Sequence, residues 1–253
     1  VTDRKYGWIQ STPDWRDATY RRHRHPAIIS RPPCFDLSPI FPPVYDQGKT
    51  GSCVGNGCVG IYQYNLIRQK FPVWMPSRLF AYWNARALEG STASDCGAQV
   101  RDGIKGLVSP GVCSEEEWPF DIDKVTVSPA PHDFTAAASN MVTSYEALNQ
   151  IMDLFCDTIA GGEPFVFGFA CYTAFESKEV AKSGILGMPK SSEKLLGGHC
   201  VVGVGYDDAK RMLKFRNSWG KTWGQDGYGW MPYDYVANSD LAADFWVINT
   251  TTR

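Results

Sequence analysis

No apolar run in the 253 residues approaches the length needed to cross a bilayer, so no membrane-spanning helix is expected. Neither sign of charge is in excess: 25 Lys and Arg face 27 Asp and Glu, a net charge of −2 that gives no global pull towards nucleic acid or anionic lipid. CxxC pairs are missing, and the eight cysteines (34, 53, 58, 96, 113, 156, 171 and 200) are too sparse for a disulfide scaffold. A zinc site from Cys53, Cys58, His199 and Cys200 is geometrically poor, because adjacent His-Cys ligands and a C-x4-C on one helix do not make a tetrahedron. No metal and no cofactor are therefore expected. Histidine is scarce, with four in the chain. Internal repeats are absent, and so is a signal-peptide pattern; because the chain opens on Val1 rather than Met, that second absence leaves its compartment open.

What is present is an ordinary globular balance with an aromatic share of 13%, enough chain for one large domain or two modest ones. Residues 1–40 are rich in Pro, Arg, His and aromatics without sustained periodicity. They read as an extended strap, anchored by Trp8, Trp15 and Tyr20. Within it Arg21-Arg22-His23-Arg24-His25 reads as a solvated loop rather than a phosphate site, since no base-stacking platform adjoins it. Apolar residues at Val54, Cys58, Ile61, Tyr62 and Leu66 predict one face of a helix from Cys53 that ends before Pro72, with Ser52 as its cap. Further helices are expected from Pro76 or Ser77 to Leu88, from Ala98 to Val108, and from a Ser144 cap through Ile159. Residues 120–140 look like a connection. Short apolar or alternating runs at 165–172, 200–206, 212–215, 228–231 and 245–249 predict strands. The expectation is an α+β chain of three parts: strap 1–40, helical lobe 41–125 and β-rich lobe 126–253, the last a sheet or barrel. Cys58, Cys156 and Cys171 sit in apolar patterns and read as buried thiols.

The most informative stretch runs from Asp46 to Asn56, a glycine-punctuated turn that delivers Cys53 to a helix start. The helix dipole and free backbone N–H groups there favour thiolate, which makes Cys53 a candidate nucleophile. A small buried residue at a tight helix start reads equally well in isolation. A cysteine nucleophile needs a base, a group to orient that base, and oxyanion donors. His23, His25 and His132 lie in irregular segments, whereas His199 opens the β-run Gly197–Tyr206. Alone, it reads as well as a structural histidine. Asn217-Ser218-Trp219-Gly220 follows the next strand, where an amide can hold the imidazole and a tryptophan can shield it.

In order along the chain, Gln47-Gly48, Gly51-Ser52-Cys53, Gly198-His199 before a Val-rich strand, and Asn217-Ser218-Trp219-Gly220 with its Trp223-Gly224 tail resemble the papain family of cysteine peptidases, in particular its compact bacterial members. The match covers the chain from about Pro42 onward. The resemblance implies a two-lobe fold, a helical left lobe and a β-barrel-like right lobe with a cleft between them. It also implies a Cys53 thiolate paired with a His199 imidazolium, Asn217 orienting His199 under Trp219, and Gln47 as oxyanion donor beside the Cys53 backbone N–H. Gly97 and Ala98 would stand at the substrate strand, Gly198 would open the second subsite, and Trp219 would also contribute to substrate binding. Departures are visible. Val54 replaces an aromatic residue, Thr50 replaces a cysteine, so that a family disulfide to the neighbourhood of Cys96 is not expected, and residues 1–40 lack the helical pro-segment pattern.

The function implied is a cysteine endopeptidase working through a thioester on a peptide or protein substrate. It is expected as a monomer, with no nucleic-acid or membrane partner, and family analogy leans towards a secreted or periplasmic location. An acyl or amide transferase on the same fold, or a silent peptide-binding protein, are the alternatives. The strap, lying just ahead of the nucleophile turn, is expected either to cover part of the cleft or only to cover apolar surface.

Overall fold

In the computed structural model, which describes residues 4–20 and 31–252, helices pack against a mostly antiparallel sheet, with Gly57 of the first long helix on its Val166 side and Phe155 of a later helix on its Phe165 side. The Arg21–His25 cluster lies outside those residues.

Helix α1 (Cys53–Arg68) is buried from Cys53 through Leu66 on every side rather than along one face. It runs between the other helices and the sheet, where an all-round apolar or glycine-rich surface is required. Gly55 shows why small residues recur in it: an added Cβ would stand 2.9 Å from the Arg78 carbonyl oxygen. Ser52 occupies the N-cap position of α1, as expected, but its side chain makes no capping hydrogen bond. Its hydroxyl instead accepts from the Asn56 side chain at 3.0 Å and lies 2.6 Å from the Thr50 hydroxyl. Helix α2 (Arg78–Leu88) is capped as a serine cap should be, Ser77 Oγ accepting from the Phe80 amide at 3.1 Å. Helix α3 (Val100–Val108) starts two residues later than its apolar pattern suggests, because Ala98–Gln99 are taken into a short strand, β3.

Two expectations fail in the middle of the chain. Residues 131–137, read as part of a connection, form helix α4 (Pro131–Ala137), with Pro131 in its first turn and Asp133 accepting from the Ala130 amide at 2.7 Å. His132 is thus helical. Ser144 caps nothing: it sits inside strand β4 (Val142–Ala147), and helix α5 (Met152–Ala160) begins after Ile151. The pairing partner of β4 lies about a hundred residues away in β9 (Ala242–Thr251), which local periodicity does not register.

The remaining strands are β5 (Phe165–Tyr172), β6 (Leu195–Asp207), β7 (Met212–Arg216) and β8 (Tyr228–Pro232), with short helices α6 (Lys178–Ser183) and α7 (Tyr233–Ala237). Their order is β4-β9-β5-β6-β7-β8, every neighbouring pair antiparallel. The path ends at β4 and β8, so the β-rich part is an open sheet and not a closed barrel. Strand β2 (Cys34–Asp36) adds to β6, which makes the last part of the 1–40 segment a member of the sheet rather than a strap. Buried cross-connections tie helix to sheet: Asn65 donates to the Ile248 carbonyl at 2.8 Å, and Arg216 donates to the Pro42 carbonyl at 2.8 Å and the Pro43 carbonyl at 2.7 Å.

Of the three strap anchors, Trp8 and Tyr20 pack against the protein and Trp15 does not, being 93% exposed. Strand β1 (Trp8–Ile9) pairs in parallel with β3, and Tyr20 donates its amide to the Ala147 carbonyl at 2.8 Å. Cys58, Cys156 and Cys171 are buried, and all eight cysteines are free thiols.

Candidate active site

The turn before α1 is held by its own backbone and by the sheet. Gln47 donates its amide to the Ser218 carbonyl at 2.9 Å, and the Thr50 hydroxyl donates to the Gln47 carbonyl at 2.8 Å. The Gly51 amide donates to Asp95 Oδ1 at 2.9 Å, the Tyr82 hydroxyl donates to the same oxygen at 2.8 Å, and Tyr82 accepts from the Gly97 amide at 2.9 Å. One carboxylate therefore fixes both the turn that presents Cys53 and the strand edge at Gly97.

His199 lies on β6, its ring fully buried. Its Nε2 is 2.8 Å from Asn217 Oδ1. The Ser218 amide donates to the same oxygen at 2.8 Å, which identifies it as the amide's acceptor. Nε2 is then the protonated ring nitrogen, and Nδ1 carries the lone pair, without a hydrogen-bond partner. Trp219 packs on the ring at 5.1 Å between centroids, with Phe169 and Phe175 each at 5.8 Å. Gln47 is also fully buried: its Oε1 accepts from the Ser218 hydroxyl at 2.6 Å, and its Nε2 donates to the Thr50 carbonyl at 2.8 Å. Asn217 and Ser218 thus hold the histidine and the glutamine respectively.

Cys53 opens α1 with its thiol buried. Burial pushes its pKa up to about 11, against the opposing pull of N–H groups from Cys200, Gly7 and Val54. Burial likewise lowers His199 to about 4, although the Asn217 hydrogen bond works the other way. Both groups are therefore neutral near pH 7, and among the described residues no hydrogen bond joins them. The thiolate–imidazolium pair implied by the family resemblance is not formed in this state.

The strap explains that dryness, since residues 4–8 lie across the site. The Gly7 backbone is close enough to the Cys53 thiol to work against the effect of burial on it. The Lys5 carbonyl stands 3.4 Å from Gln47 Nε2, and the Ala98 amide donates to the Gly7 carbonyl at 2.8 Å. Tyr6 closes edge-on over His199 at 6.4 Å. Contact is so close that side chains are excluded on both sides. A Cβ on Gly7 would fall 1.8 Å from the Gly51 oxygen, one on Gly97 (φ 90°) 2.3 Å from the Gly7 oxygen, and one on Gly198 2.5 Å from the Trp8 oxygen. Side-chain latches add to this. Arg4 pairs with Asp46 at 2.6 Å, Lys5 with Asp95 at 2.8 Å, and the Tyr6 hydroxyl donates to Glu176 at 2.7 Å.

The structure thus brings Cys53, His199, Asn217 and Gln47 into one buried region, and it places Gly97, Ala98 and Gly198 against the strap rather than against open solvent. Trp219 covers the histidine, as its position beside Asn217 suggests. Trp8 is an expected strap anchor, but the sequence assigns no role to Ser218, Asp95, Tyr6 or Gly7, although Ser218 lies within the Asn217–Gly220 motif. A glycine between two large aromatics in an otherwise bulky strap was the one signal of a close backbone approach.

Cys53 therefore opens a helix, His199 lies on a strand of the sheet, and Asn217 directly follows the neighbouring strand β7. Residues 35–246 match the model of the papain family cysteine proteases, and the chain belongs to that family. It is similar to xylellain, a cysteine protease from Xylella fastidiosa, with a TM-score of 0.90, 39% identity, and 98% of this chain and 97% of that one covered. An uncharacterized peptidase C1-like protein of Acanthamoeba polyphaga mimivirus is 38% identical over 98% of this chain and 88% of its own length. Digestive procathepsin L 3 of Tenebrio molitor larval midgut shares the fold at 18% identity, with a TM-score of 0.68 over 90% of this chain and 72% of that one. The protein is a papain-like cysteine endopeptidase of α+β fold, a hydrolase acting on peptide or protein substrates.

Proposed function

We propose that Cys53 is the nucleophile of this peptidase, His199 its base and acid, Asn217 the orienting group and Gln47 an oxyanion donor. The observation that carries this is the His199 Nε2 contact with Asn217 Oδ1, which leaves Nδ1 as a bare lone pair in the same buried region as the thiol. When a substrate carbonyl replaces the strap, the Cys53 proton passes to Nδ1 and the sulfur attacks the carbonyl carbon. Negative charge collects on the carbonyl oxygen, within reach of Gln47 Nε2 and the Cys53 backbone N–H. His199 then returns the proton to the leaving amine, and water activated by the same ring hydrolyses the thioester. Gly97 and Ala98 would pair with the extended substrate backbone, beside Gly198.

Residues 4–8 hold the cleft shut in the resting protein. Residues 1–40 would then act chiefly as a cover, 41–125 would present the nucleophile, and 126–253 the base and its support. All four catalytic candidates come from one chain, which supports a working monomer, and the net charge of −2 supports action without nucleic acid or membrane. An irreversible epoxide or vinyl-sulfone probe tests the assignment. A mass shift located on Cys53 is expected, with loss of both labelling and peptide cleavage in Cys53→Ser. Cleavage that survives Cys53→Ser in a folded protein would overturn it.

A further inference from the structure

No disulfide ties the nucleophile turn to the strand edge at Gly97, because all eight cysteines are free, Cys96 included. Asp95 makes that tie with one oxygen. Its Oδ1 accepts from the amide of Gly51, just ahead of Cys53, at 2.9 Å and from the Tyr82 hydroxyl at 2.8 Å, and that hydroxyl in turn accepts from the Gly97 amide at 2.9 Å. The groups share one tight shell: a Cβ on Gly51 would stand 3.1 Å from both Asp95 Oδ1 and the Tyr82 oxygen, and 3.3 Å from the Gly97 nitrogen.

The support behind this clasp is a buried cation. Arg86, with no exposed surface, holds its guanidinium 4.0 Å from the Tyr82 ring centroid and donates to the Ser94 carbonyl at 2.6 Å, so it fixes the phenol and the residue preceding Asp95 together. Burial works to raise the Asp95 pKa, but hydrogen bonds from Lys5, Tyr82 and the Gly51 amide bring it below the ordinary carboxylate value. Asp95 is therefore ionised at pH 7, and both its oxygens are acceptors. They serve different partners. Oδ2 takes the strap, through Lys5 Nζ at 2.8 Å, whereas the Gly51 amide and the Tyr82 hydroxyl on Oδ1 both lie outside the strap. Departure of residues 4–8 removes the ion pair and leaves the Gly51–Asp95–Tyr82–Gly97 chain standing.

Resting on the peptidase reading above, we propose that Asp95 is a positioning residue for acylation: through Oδ1 it sets the Cys53 turn against the Gly97 edge that pairs with substrate, and through Oδ2 it anchors the closed strap. Attack needs the sulfur and the substrate carbonyl carbon at near-contact distance, and an error of about 1 Å costs on the order of 10²-fold in rate. The start of α1 places the sulfur, the strand edge places the carbonyl, and Asp95 joins the two. Holding the site requires an acceptor oxygen, whereas holding the strap requires a negative charge. Asparagine keeps the first and loses the second, so substitution separates the two roles.

The test uses the full chain and a fluorogenic tripeptide amide. Saturating peptide displaces the strap, so kcat reads the open site and KM carries the strap's competition. Lys5→Ala and Asp95→Asn should lower KM by the same factor. Asp95→Ala should lower kcat by on the order of 10²-fold, and Asp95→Asn should rescue it to within roughly threefold of Lys5→Ala. Tyr82→Phe, which cuts the link to Gly97 but keeps the Lys5 pair, should lower kcat by about tenfold. An alanine variant as fast as the asparagine variant, an asparagine variant as slow as the alanine one, or a KM for Asp95→Asn equal to that of the unmodified chain would each overturn the proposal. Should Asp95→Ala not fold, an unchanged kcat in Tyr82→Phe overturns it. Amide exchange at Gly51 and Gly97 separates this claim from the one it rests on. Protection kept in Asp95→Asn and lost in Asp95→Ala or Tyr82→Phe supports the clasp whether or not peptide is cut, whereas absence of all cleavage and of Cys53 labelling in the unmodified chain overturns the peptidase assignment.

Discussion

At the residue scale, burial disfavours the charged forms of both proposed catalytic groups, Cys53 and His199. Burial raises Cys53 to about 11 and lowers His199 to about 4, so with the strap in place the neutral thiol and neutral imidazole dominate at pH 7. Admitting water removes the burial penalty on both charged forms and lets each stabilise the other. An uncharged alkylating reagent small enough to reach the sulfur should therefore modify Cys53 in the resting protein at a rate that climbs steadily from pH 7 towards pH 11. A plateau already reached below pH 8 would show that the ion pair exists under the strap.

At the scale of elements, the strap is held mainly by shape. Gly7 sits between the Gly51 carbonyl and Gly97, and an added methyl would stand 1.8 Å from a backbone oxygen that has no freedom to move. Gly7→Ala is thus expected to dislodge residues 4–8 without touching the catalytic groups. Its kcat/KM on a small peptide should rise by about tenfold or more, each factor of ten corresponding to a strap bound more weakly by about 1.4 kcal/mol. An unchanged rate in a folded variant would mean that the strap only covers apolar surface. The helical layer offers a parallel case: a Cβ on Gly103 of α3 would lie 2.6 Å from Val54 Cγ1 on α1, directly beside the nucleophile. Gly103→Ala should destabilise the fold by about 1–3 kcal/mol through overpacking, measured by denaturant unfolding, and should slow catalysis by shifting the start of α1.

At the scale of the whole molecule, the strap, the helices and the sheet share one proton balance. His199 has a lower pKa covered than its ordinary value of 6.5, so between about 6.5 and about 4 an opened site takes up a proton that the closed one does not. Its contribution to closure is complete above that window and lost as pH falls through it. Asp46 and Asp95 act in the same direction. Burial raises both, but hydrogen bonds from Arg4 and Lys5 respectively help bring them below the ordinary carboxylate value, so their contribution is present above the carboxylate range and lost in acid. Asp244, raised by burial, opposes them. With three groups against one, acid should favour opening. Amide exchange at residues 5–9, corrected for the intrinsic pH dependence, is expected to be faster at pH 4.5 than at pH 7, while α1 stays protected. Equal protection at both values would contradict this balance.

How much of this was legible beforehand divides by range of interaction. The sequence by itself determined the α+β class, the start of α1 at Cys53, strands β5, β7 and β8 nearly to the residue, the second half of β6, and the family, because each rests on local periodicity or on motifs a few residues long. Cys53, His199 and Asn217 are candidates because the chemistry of a thiol nucleophile asks for those types in those settings, whereas Gln47 follows only from the family resemblance. Tertiary structure alone decided what a local pattern does not carry. Strand β4 took the place of a helix start because its partner is β9, and β2 left the strap because β6 offered an edge. Ser52 gave up capping for Asn56 and Thr50, and Trp15 was left in solvent while Trp8 found a floor of two glycines. The charge state of the catalytic pair belongs to the same group: it follows from whether water reaches two buried atoms, and that depends on where a distant strap, Tyr6, Gly7 and Trp8, comes to rest.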